Sequence, residues 1–435
     1  MKFLRVTFCD NANAIRAKAI HIDILESNLD YPVSITAAQQ AFPIMYDAVV
    51  SQSGLQPVGE IWLVPDWTTL KILPYAPTHA IVMADMVVAD RSESGSSSWS
   101  LCPRAFLKRA IAAAKEAGIE VMAAFENEFV LLDNVADRII PTDDTVFAAT
   151  LAMDLNYKTI DAIADALIAQ DIIVERYYPE SGPGQQEISI RYDRAMAAAD
   201  RQILFRETVR GVAIERGLKA SFLPKIFADR AGNGCHVHLS LWQDGKNITG
   251  DGSGQVSAIA LSFIGGILQH LPALMALTTP STNSYRRICP HYWSGAFTAW
   301  GYDNREAAIR VPSNPILPSP THFELKTSDA TANPYLALGA VIYAGIDGVR
   351  NNLNPGSPID VDPGNFSEVE LSRRGISRLP QNLGEAIDRS SSDRLLLDAL
   401  GPELSRAYLA VRRAEWEAMK EMELEEEVKL LLERY

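Results

Sequence analysis

The chain is poor in cysteine and has no excess of positive charge. Its 435 residues include four scattered cysteines, and no two of them form a CxxC pair: Cys9, Cys102, Cys235 and Cys289. Such cysteines predict reduced thiols in a cytosolic protein, not a disulfide framework. The formal net charge is −14, and no block of lysine and arginine interrupts it. Binding to nucleic acid is therefore not expected.

Long uninterrupted apolar runs and glycine loops of the Walker type are also missing. The longest apolar stretch, residues 258–277, contains Gln269, His270 and Pro272, so it predicts a buried helix and not a membrane span. The opening residues MKFLRVTFCD lack the apolar segment of a signal peptide. We therefore expect a cytoplasmic protein without a membrane partner. A hydrophobic content of 47% predicts a large core, and the length suggests two or three domains.

Two parts of the chain differ in pattern. Residues 1–92 are typical of short strands joined by turns, and the Ser/Gly-rich segment SESGSSSWS (92–100) is interpreted as a mobile connection. The next segment, PRAFLKRAIAAAKEAG, starts with proline and ends with glycine, as helices often do. We therefore predict one domain over residues 1–100 and a second over residues 101–435.

Further helices are predicted in the second part. They cover residues 194–217, residues 333–348 with Asn333 as the cap, and the C-terminal amphipathic segment EWEAMKEMELEEEVKLLLERY. The many charges of that last segment are interpreted as a solvated helix face.

Two glutamates lie two residues apart in the apolar segment AAFENEFVLL. In a strand, Glu126 and Glu128 would point to the same face. Burying two like charges side by side costs several kcal/mol or more unless something neutralises them. This pair therefore raises the question of which cation lies between the two side chains.

Three other predicted strands repeat this pattern, with apolar side chains on one face and ionisable or polar side chains on the other. The segments are CHVHLSLWQDGK, QQEISIRY and HFELK, and the first ends in an Asp244-Gly245 hairpin turn. Their active faces carry His236, His238 and Ser240; Glu187, Ser189 and Arg191; and His322, Glu324 and Lys326. Each pattern alone is more typical of an ordinary half-exposed strand. Together with Glu180 on a Gly-rich turn, these carboxylates and imidazoles favour a site for Mg²⁺ or Mn²⁺.

Several longer motifs resemble those of the glutamine synthetase superfamily. They are FENEF, ESGPGQQE, GNGCHVHLSLW, NSYRRICPHYWSGAFTAWGYDNREAAIRVP and FELKTSDATANPYLALGAVIYAGIDG. The residues of GEIWLVPD and WSGAFTAWG most resemble those of the FluG/nodulin-type branch. The resemblance implies an α+β fold, with an N-terminal β-grasp domain and a larger catalytic domain whose curved antiparallel sheet is flanked by helices. It also implies a homo-oligomeric ring with active sites shared between subunits.

The resemblance implies two divalent ions, Mg²⁺ or Mn²⁺, and ATP as a substrate. One ion would be held by Glu128, Glu180 and Glu187, and the other by Glu126, His236 and Glu324. All six ligands are present. The other implied residues are His238, Ser240 and Arg310 near ATP; Gly232, His236, Arg287, Trp293 and Lys326 near the amino acid and amine; and Arg305, Arg310 and Glu324 in catalysis.

The implied reaction has two steps. The side-chain carboxylate of glutamate attacks the γ-phosphorus of ATP, and an uncharged amine then attacks the acyl phosphate to form an amide. Arginines would neutralise the charge on the transferred group, although surface salt bridges are the alternative interpretation of Arg305 and Arg310.

Three positions depart from the pattern of housekeeping glutamine synthetases. Trp293 occupies the place of the glutamate that binds ammonium and takes its proton, Ala231 replaces an asparagine, and Lys326 replaces an arginine. We therefore expect an organic amine as the nucleophile, with ammonia as the alternative. Packing of Trp293 in the core is the competing interpretation. Asp47 is a weak match to an aspartate that the family contributes to a neighbouring site.

Two other classes of protein compete with the ligase. One is a catalytically silent, ring-forming relative, which six intact ligands argue against. The other is an unrelated H-x-H…E metalloenzyme such as a cupin-type oxygenase, although five glutamates favour hard ions over a redox metal. The segment GNFSEVELSRRGISRLP lacks the tyrosine that is adenylylated in some family members, so we expect no such regulation.

Overall fold

The computed structural model describes residues 1–29, 31–90, 95–135, 138–315 and 320–435. Within these residues the strands form two sheets, and the fold is α+β, as predicted. Strands up to residue 98 belong to the first sheet and strands from residue 120 onward belong to the second.

The first sheet has seven strands among the described residues. They are β1 (Phe3–Cys9), β2 (Ile15–His21), β3 (Ser34–Thr36), β4 (Glu60–Pro65), β5 (Lys71–Ile72), β6 (His79–Asp90) and β7 (Gly95–Ser98). Their order is β2-β1-β6-β4-β3, and β5 and β7 also pair with β6. The β1/β6 pair is parallel and the other pairs are antiparallel. Helix α1 (Ile22–Ser27) follows β2 directly.

Part of the predicted mobile connection belongs to this sheet. Residues 95–98 form β7 and pair with the end of β6, so this part of the prediction is wrong. Residues 92–94 lie outside the described residues. The division into residues 1–100 and 101–435 remains a prediction, and it falls between β7 and the helix that follows it.

The second sheet carries ten strands in the part of the chain that the structure describes. They are β8 (Glu120–Asp133), β9 (Val174–Pro179), β10 (Gln185–Ile190), β11 (Asp193–Arg194), β12 (Leu218–Ser221), β13 (Cys235–Gln243), β14 (Lys246–Asn247), β15 (Trp300–Tyr302), β16 (Ile309–Val311) and β17 (Phe323–Leu325). The order is β15-β16-β17-β13-β8-β10-β9, and β11 and β12 pair with β8. The sheet is antiparallel as predicted, apart from the parallel β15/β16 pair.

Eleven helices lie among the described residues from residue 103 onward. They are α2 (Pro103–Glu116), α3 (Thr150–Ile168), α4 (Ala195–Glu215), α5 (Ala258–Thr278), α6 (Ser284–Arg287), α7 (Pro334–Asn351), α8 (Glu368–Arg374), α9 (Leu383–Ser392), α10 (Arg394–Leu400), α11 (Pro402–Met419) and α12 (Leu424–Leu431). Short 3-10 turns occur at Ala37–Ala41, Ser51–Ser53, Trp67–Thr69 and Pro363–Asn365. The Asn333 side chain caps α7 by accepting from the N–H groups of Tyr335 and Leu336, as predicted. One continuous apolar core contains residues of both sheets.

Helix α5 contains the longest apolar stretch. Its length and composition alone would allow it to cross a membrane, but 67% of its most apolar segment is buried inside the protein. It packs against α7 and α9 as a core helix, as predicted from its internal Gln269, His270 and Pro272.

The C-terminal segment forms two helices, so the prediction of one is wrong. Helix α11 ends at Met419 and α12 begins at Leu424. Glu423 and Glu426 form a capping box at the start of α12, and this box satisfies backbone N–H groups at the break.

Candidate active site

The register of the second sheet brings the predicted ligands together on one face. Glu126 and Glu128 project from β8, and the residue directly opposite Glu126 on β13 is His236. Glu187 on β10 lies opposite Glu128, while Glu324 on β17 lies opposite Arg310 on β16. Five strands therefore contribute side chains to one surface, four of them predicted ligands and the fifth Arg310.

A cavity of about 550 Å³ lies over this surface, and we call it the acidic cavity. Twelve of the fourteen predicted site residues line it: Glu126, Glu128, Glu180, Glu187, Gly232, His236, Arg287, Trp293, Arg305, Arg310, Glu324 and Lys326. The first and last of these residues, Glu126 and Lys326, are 200 positions apart in the sequence. The fold therefore brings together residues that are far apart along the chain.

The other two predicted residues, His238 and Ser240, line a neighbouring cavity of about 510 Å³, which we call the aromatic cavity. Tyr192 and Trp242 form one of its walls, with ring centres 6.3 Å apart. The Trp242 indole N–H donates to the Ser240 hydroxyl at 2.9 Å, which fixes both side chains. Glu126 lines both cavities and so marks their junction.

The predicted ligands Glu126, His236 and Glu324 are in direct contact. His236 Nδ1 lies 3.3 Å from Glu126 Oε2 and 3.0 Å from Glu324 Oε1. His238, which was predicted only near the nucleotide, also reaches this group, because ligand atoms of Glu126, His238 and Glu324 all lie within 4.8 Å of one another. Burial would raise the pKa of Glu126, but the charges and hydrogen bonds of His238 and His236 hold it well below its usual value.

The other predicted ligands, Glu128, Glu180 and Glu187, form a cluster of like charges. Burial, together with the charges of Glu126 and Glu128, raises the pKa of Glu187 to about 10. Burial and the charge of Glu128 raise the pKa of Glu180 to about 7. Glu128 itself is held in place, because its Oε2 accepts at 2.9 Å both from the Gly234 N–H and from the Gln185 side chain.

This donor set fits divalent cations. Five buried or half-buried carboxylates and one imidazole converge. No ion pair among the described residues joins Glu180 or Glu187 to an arginine or lysine, in agreement with the raised pKa of both carboxyl groups. Carboxylate oxygens are the ligands that Mg²⁺ and Mn²⁺ prefer, and two such ions would supply the missing positive charge.

Cations also line the acidic cavity, next to the predicted ligand Glu324. Arg310 Nε lies 2.7 Å from Glu324 Oε2, and Lys326 Nζ lies 3.5 Å from Glu324 Oε1. Arg310 is thus paired inside the site, and the interpretation of a surface salt bridge is wrong for it. Arg287 is buried and donates through Nη2 to the Ser328 carbonyl at 2.9 Å, while its buried Nε has no hydrogen-bond partner among the described residues.

Gly232 is required by the packing beside Arg287. A Cβ at this position would lie 2.2 Å from the Pro224 carbonyl oxygen and 3.0 Å from Arg287 Cγ. Any side chain would therefore displace the loop that holds the arginine.

Trp293 is not a core residue, so that competing interpretation is wrong. It is 54% exposed, lines the acidic cavity and has a left-handed backbone with φ +54°. Its N–H donates to Glu306 Oε1 at 2.9 Å, and the Arg305 guanidinium lies 5.6 Å from the centre of its ring. The indole thus presents an aromatic surface with a cation already beside it.

Several lining residues were not predicted from the sequence. Arg176 lines both cavities, and Tyr178 lines the acidic cavity. The alternation of VERYYPE, which places both in phase with Glu180, could have indicated them. His291 also lines the acidic cavity, although no periodic pattern marks it. Asp47 is not among the described residues that line either cavity, and it pairs with Arg16 at 3.2 Å on the surface.

Comparisons with known proteins agree with this geometry. The family model for the glutamine synthetase catalytic domain matches residues 100–430. The chain is 37% identical to type-1 glutamine synthetase 1 of Dictyostelium discoideum, covering 100% of this chain and 90% of that protein. It is 36% identical to gamma-glutamylpolyamine synthetase GlnA3 of Streptomyces coelicolor, covering 94% and 88%.

The fold is also similar to that of a solved structure, a GmaS/ADP complex. The TM-score is 0.84 at 28% identity, and the match covers 99% of this chain and 96% of that one. The matched residues include both the acidic cavity and the strands that carry its ligands. The chain therefore belongs to the glutamine synthetase family and is an ATP-dependent ligase that forms C–N bonds.

Proposed function

We propose that this ligase uses ATP to phosphorylate the side-chain carboxylate of glutamate and couples the product to an organic amine, forming a γ-glutamyl amide. The observation that carries the proposal is the exposed indole of Trp293 in the acidic cavity. By the family pattern, a carboxylate at this position would bind ammonium. An indole instead offers apolar area to the carbon atoms of an amine substituent.

The aromatic cavity is the proposed nucleotide site. Tyr192 and Trp242 offer faces on which a base would stack, a contact worth about 1–3 kcal/mol. His238 and Ser240 follow at the edge toward the acidic cavity, where hydrogen-bond donors would meet the phosphates. The similar GmaS structure is a complex with ADP, which is consistent with this assignment.

The acidic cavity is the proposed site of phosphoryl transfer. Glu128, Glu180 and Glu187 would hold one divalent ion, and Glu126, His236 and Glu324 the other. When bound, Mg²⁺ or Mn²⁺ screens the negative oxygens of ATP and the carboxylate.

The arginines of this cavity act on the substrate. Arg287, whose Nε is free to donate, would bind the α-carboxylate of glutamate, assisted by Lys326. Arg305 and Arg310 would neutralise charge on the transferred phosphoryl group.

The amine end of the cavity is aromatic. Tyr292 and Trp293 follow each other in the chain and are both more than half exposed, and Lys225 Nζ lies 5.3 Å from the centre of the Tyr292 ring. The similarity to a gamma-glutamylpolyamine synthetase supports an amine with a carbon chain. We also propose a cytoplasmic homo-oligomeric ring with shared active sites, as the family resemblance implies.

An amine panel tests this function. Purified protein is incubated with glutamate, ATP and Mg²⁺ or Mn²⁺, and with ammonia, ethylamine, ethanolamine or putrescine as acceptor. Phosphate release and product mass are measured. We expect a γ-glutamyl amide of at least one organic amine, and no turnover by the Glu128→Gln variant.

Two outcomes would overturn the proposal in different ways. Turnover with ammonia alone would make the protein a glutamine synthetase. Absence of phosphate release with every acceptor would favour a silent, ring-forming relative.

A further inference from the structure

A histidine–aspartate pair lies at the amine end of the acidic cavity. His291 lines this cavity and immediately precedes Tyr292 and Trp293. Its Nδ1 lies 2.6 Å from Asp362 Oδ2, and the histidine side chain is 55% exposed. Such a pair, open on one side, has the form of an oriented proton acceptor.

The proposed reaction needs an acceptor at this end. An alkylammonium ion titrates near pH 10, so at neutral pH the bound amine must lose a proton before it attacks. Trp293 has no basic atom for this task. The cations Lys225, Arg305 and Lys326 are donors only in their charged forms.

Glu306 is another carboxylate that contacts this loop, but its position fits another task. It is only 8% exposed, and its carboxylate accepts from the backbone N–H groups of Trp293 and His291. Trp293 and His291 have positive φ angles of +54° and +66°, which are strained for residues other than glycine. The hydrogen bonds to Glu306 therefore stabilise a strained loop. We therefore assign it as a positioning residue for the loop.

The hydrogen bonds of Asp362 determine which nitrogen of His291 carries the proton. Asp362 Oδ1 accepts from the Gly364 N–H at 2.7 Å, and Oδ2 faces Nδ1 of His291. A carboxylate is an acceptor only, so the neutral imidazole must carry its proton on Nδ1. The lone pair then lies on Nε2. Two carboxylates thus contact His291. Asp362 contacts its imidazole ring, and Glu306 accepts from its backbone N–H.

We propose that His291 Nε2 is the general base that deprotonates the incoming amine, with Asp362 as its positioning residue. This inference rests on the proposed function for the identity of the amine. The N–H bond of the ammonium breaks, and its proton moves to Nε2 to give an imidazolium. The freed lone pair on nitrogen forms the C–N bond with the acyl phosphate. The C–O bond to phosphate breaks and its electron pair leaves with the phosphate, which takes the second proton from nitrogen and departs as hydrogen phosphate, so that a neutral amide remains.

The test compares acceptors that do and do not need a base. Hydroxylamine is largely uncharged at about pH 8, whereas ethylamine and ammonia are largely protonated there. For His291→Ala we expect a loss of about 100-fold or more in kcat/KM for ethylamine, and less than about threefold for hydroxylamine.

Asp362→Asn gives a second, conservative test. The asparagine would still accept from Gly364 and would donate to Nδ1, which moves the imidazole proton onto Nε2. We expect the same selective loss of ethylamine turnover with little change in melting temperature. His21→Ala, which removes a half-exposed histidine beside Asp23, is the matched control and should leave both acceptors unchanged.

The result that overturns the inference is an equal loss, or no loss, with both acceptors in His291→Ala. If the wild-type protein does not accept organic amines, the loss in kcat/KM is compared between ammonia and hydroxylamine instead. Failure of the proposed amine specificity is therefore distinguishable from failure of the base.

Discussion

The guanidinium of Arg305 lies over the indole of Trp293, 5.6 Å from the centre of the ring. The two residues come from different segments, and both line the acidic cavity. Because a cation already lies beside the indole, we propose that Trp293 contributes mainly apolar area to the amine of the proposed reaction. The proposed role of Arg305 lies with the phosphoryl group.

The first prediction concerns Trp293→Glu. The new carboxylate would lie beside Arg305, which would keep it ionised and able to attract ammonium. We expect kcat/KM for ammonia to rise about tenfold or more and kcat/KM for ethylamine to fall. Both are measured by phosphate release. Trp293→Phe, which keeps an aromatic face, should retain the preference of wild type. An unchanged ammonia rate in Trp293→Glu would show that this residue does not select the amine.

Much of this site was predictable because strand alternation is a local property. Side chains alternate along a strand with a period of two residues, so Glu126 and Glu128 share one face whatever strands pair with theirs. The structure confirms this, because both line the acidic cavity. Family motifs supplied the remaining residues. Register is different, because it depends on how distant strands pack. The contact of His238 with the Glu126 group was therefore missed, although its alternation with His236 was correct.

Contacts between distant polar residues had no sequence signal. His291 and Asp362 are 71 positions apart in irregular segments. Buried Arg104 likewise bonds to Asp85 of the first sheet and to Asp200 on α4. An isolated charged residue is not part of a repeating sequence pattern, so its partner can be identified only in the folded structure.

The second prediction concerns the nucleotide. Trp242→Ala removes one face of the aromatic cavity and the donor that fixes Ser240. We expect the Kd for ADP to rise about tenfold, consistent with the loss of one stacking contact. The measurement is isothermal titration calorimetry with Mg²⁺ present. The KM for the amine should not change. An unchanged Kd would place the base elsewhere.

The third prediction concerns the divalent ions. Because the acidic cluster is short of positive charge, Mn²⁺ should raise the melting temperature, with about 2.7 kcal/mol of stabilisation at one hundred times Kd. Glu187→Gln should abolish most of this rise while costing little stability in chelator. Glu433→Gln, which removes an exposed carboxylate paired with Lys219, is the matched control. Equal Mn²⁺ shifts in Glu187→Gln and wild type would remove Glu187 from the ligand set.

The fourth prediction concerns pH and stability away from the site. His270 on α5 lies between Asp393, 2.7 Å from Nδ1, and Asp347 on α7, 3.2 Å from Nε2. Burial alone would lower the pKa of His270, but the hydrogen bonds and charges of Asp393 and Asp347 outweigh it and raise the pKa. The protonated form therefore stabilises the fold. This stability is fully present below about pH 6.5 and is lost as pH rises through the raised pKa.

Thermal unfolding of wild type and His270→Gln measures this contribution. The glutamine keeps one hydrogen bond but does not titrate. We expect wild type to be more stable by about 1–2 kcal/mol at pH 6 and the difference to shrink by pH 9. His79→Gln is the control, because this histidine accepts from Arg5 and has no carboxylate partner among its described hydrogen bonds and ion pairs. A difference that stays constant across this range would show that folding does not change the pKa of His270.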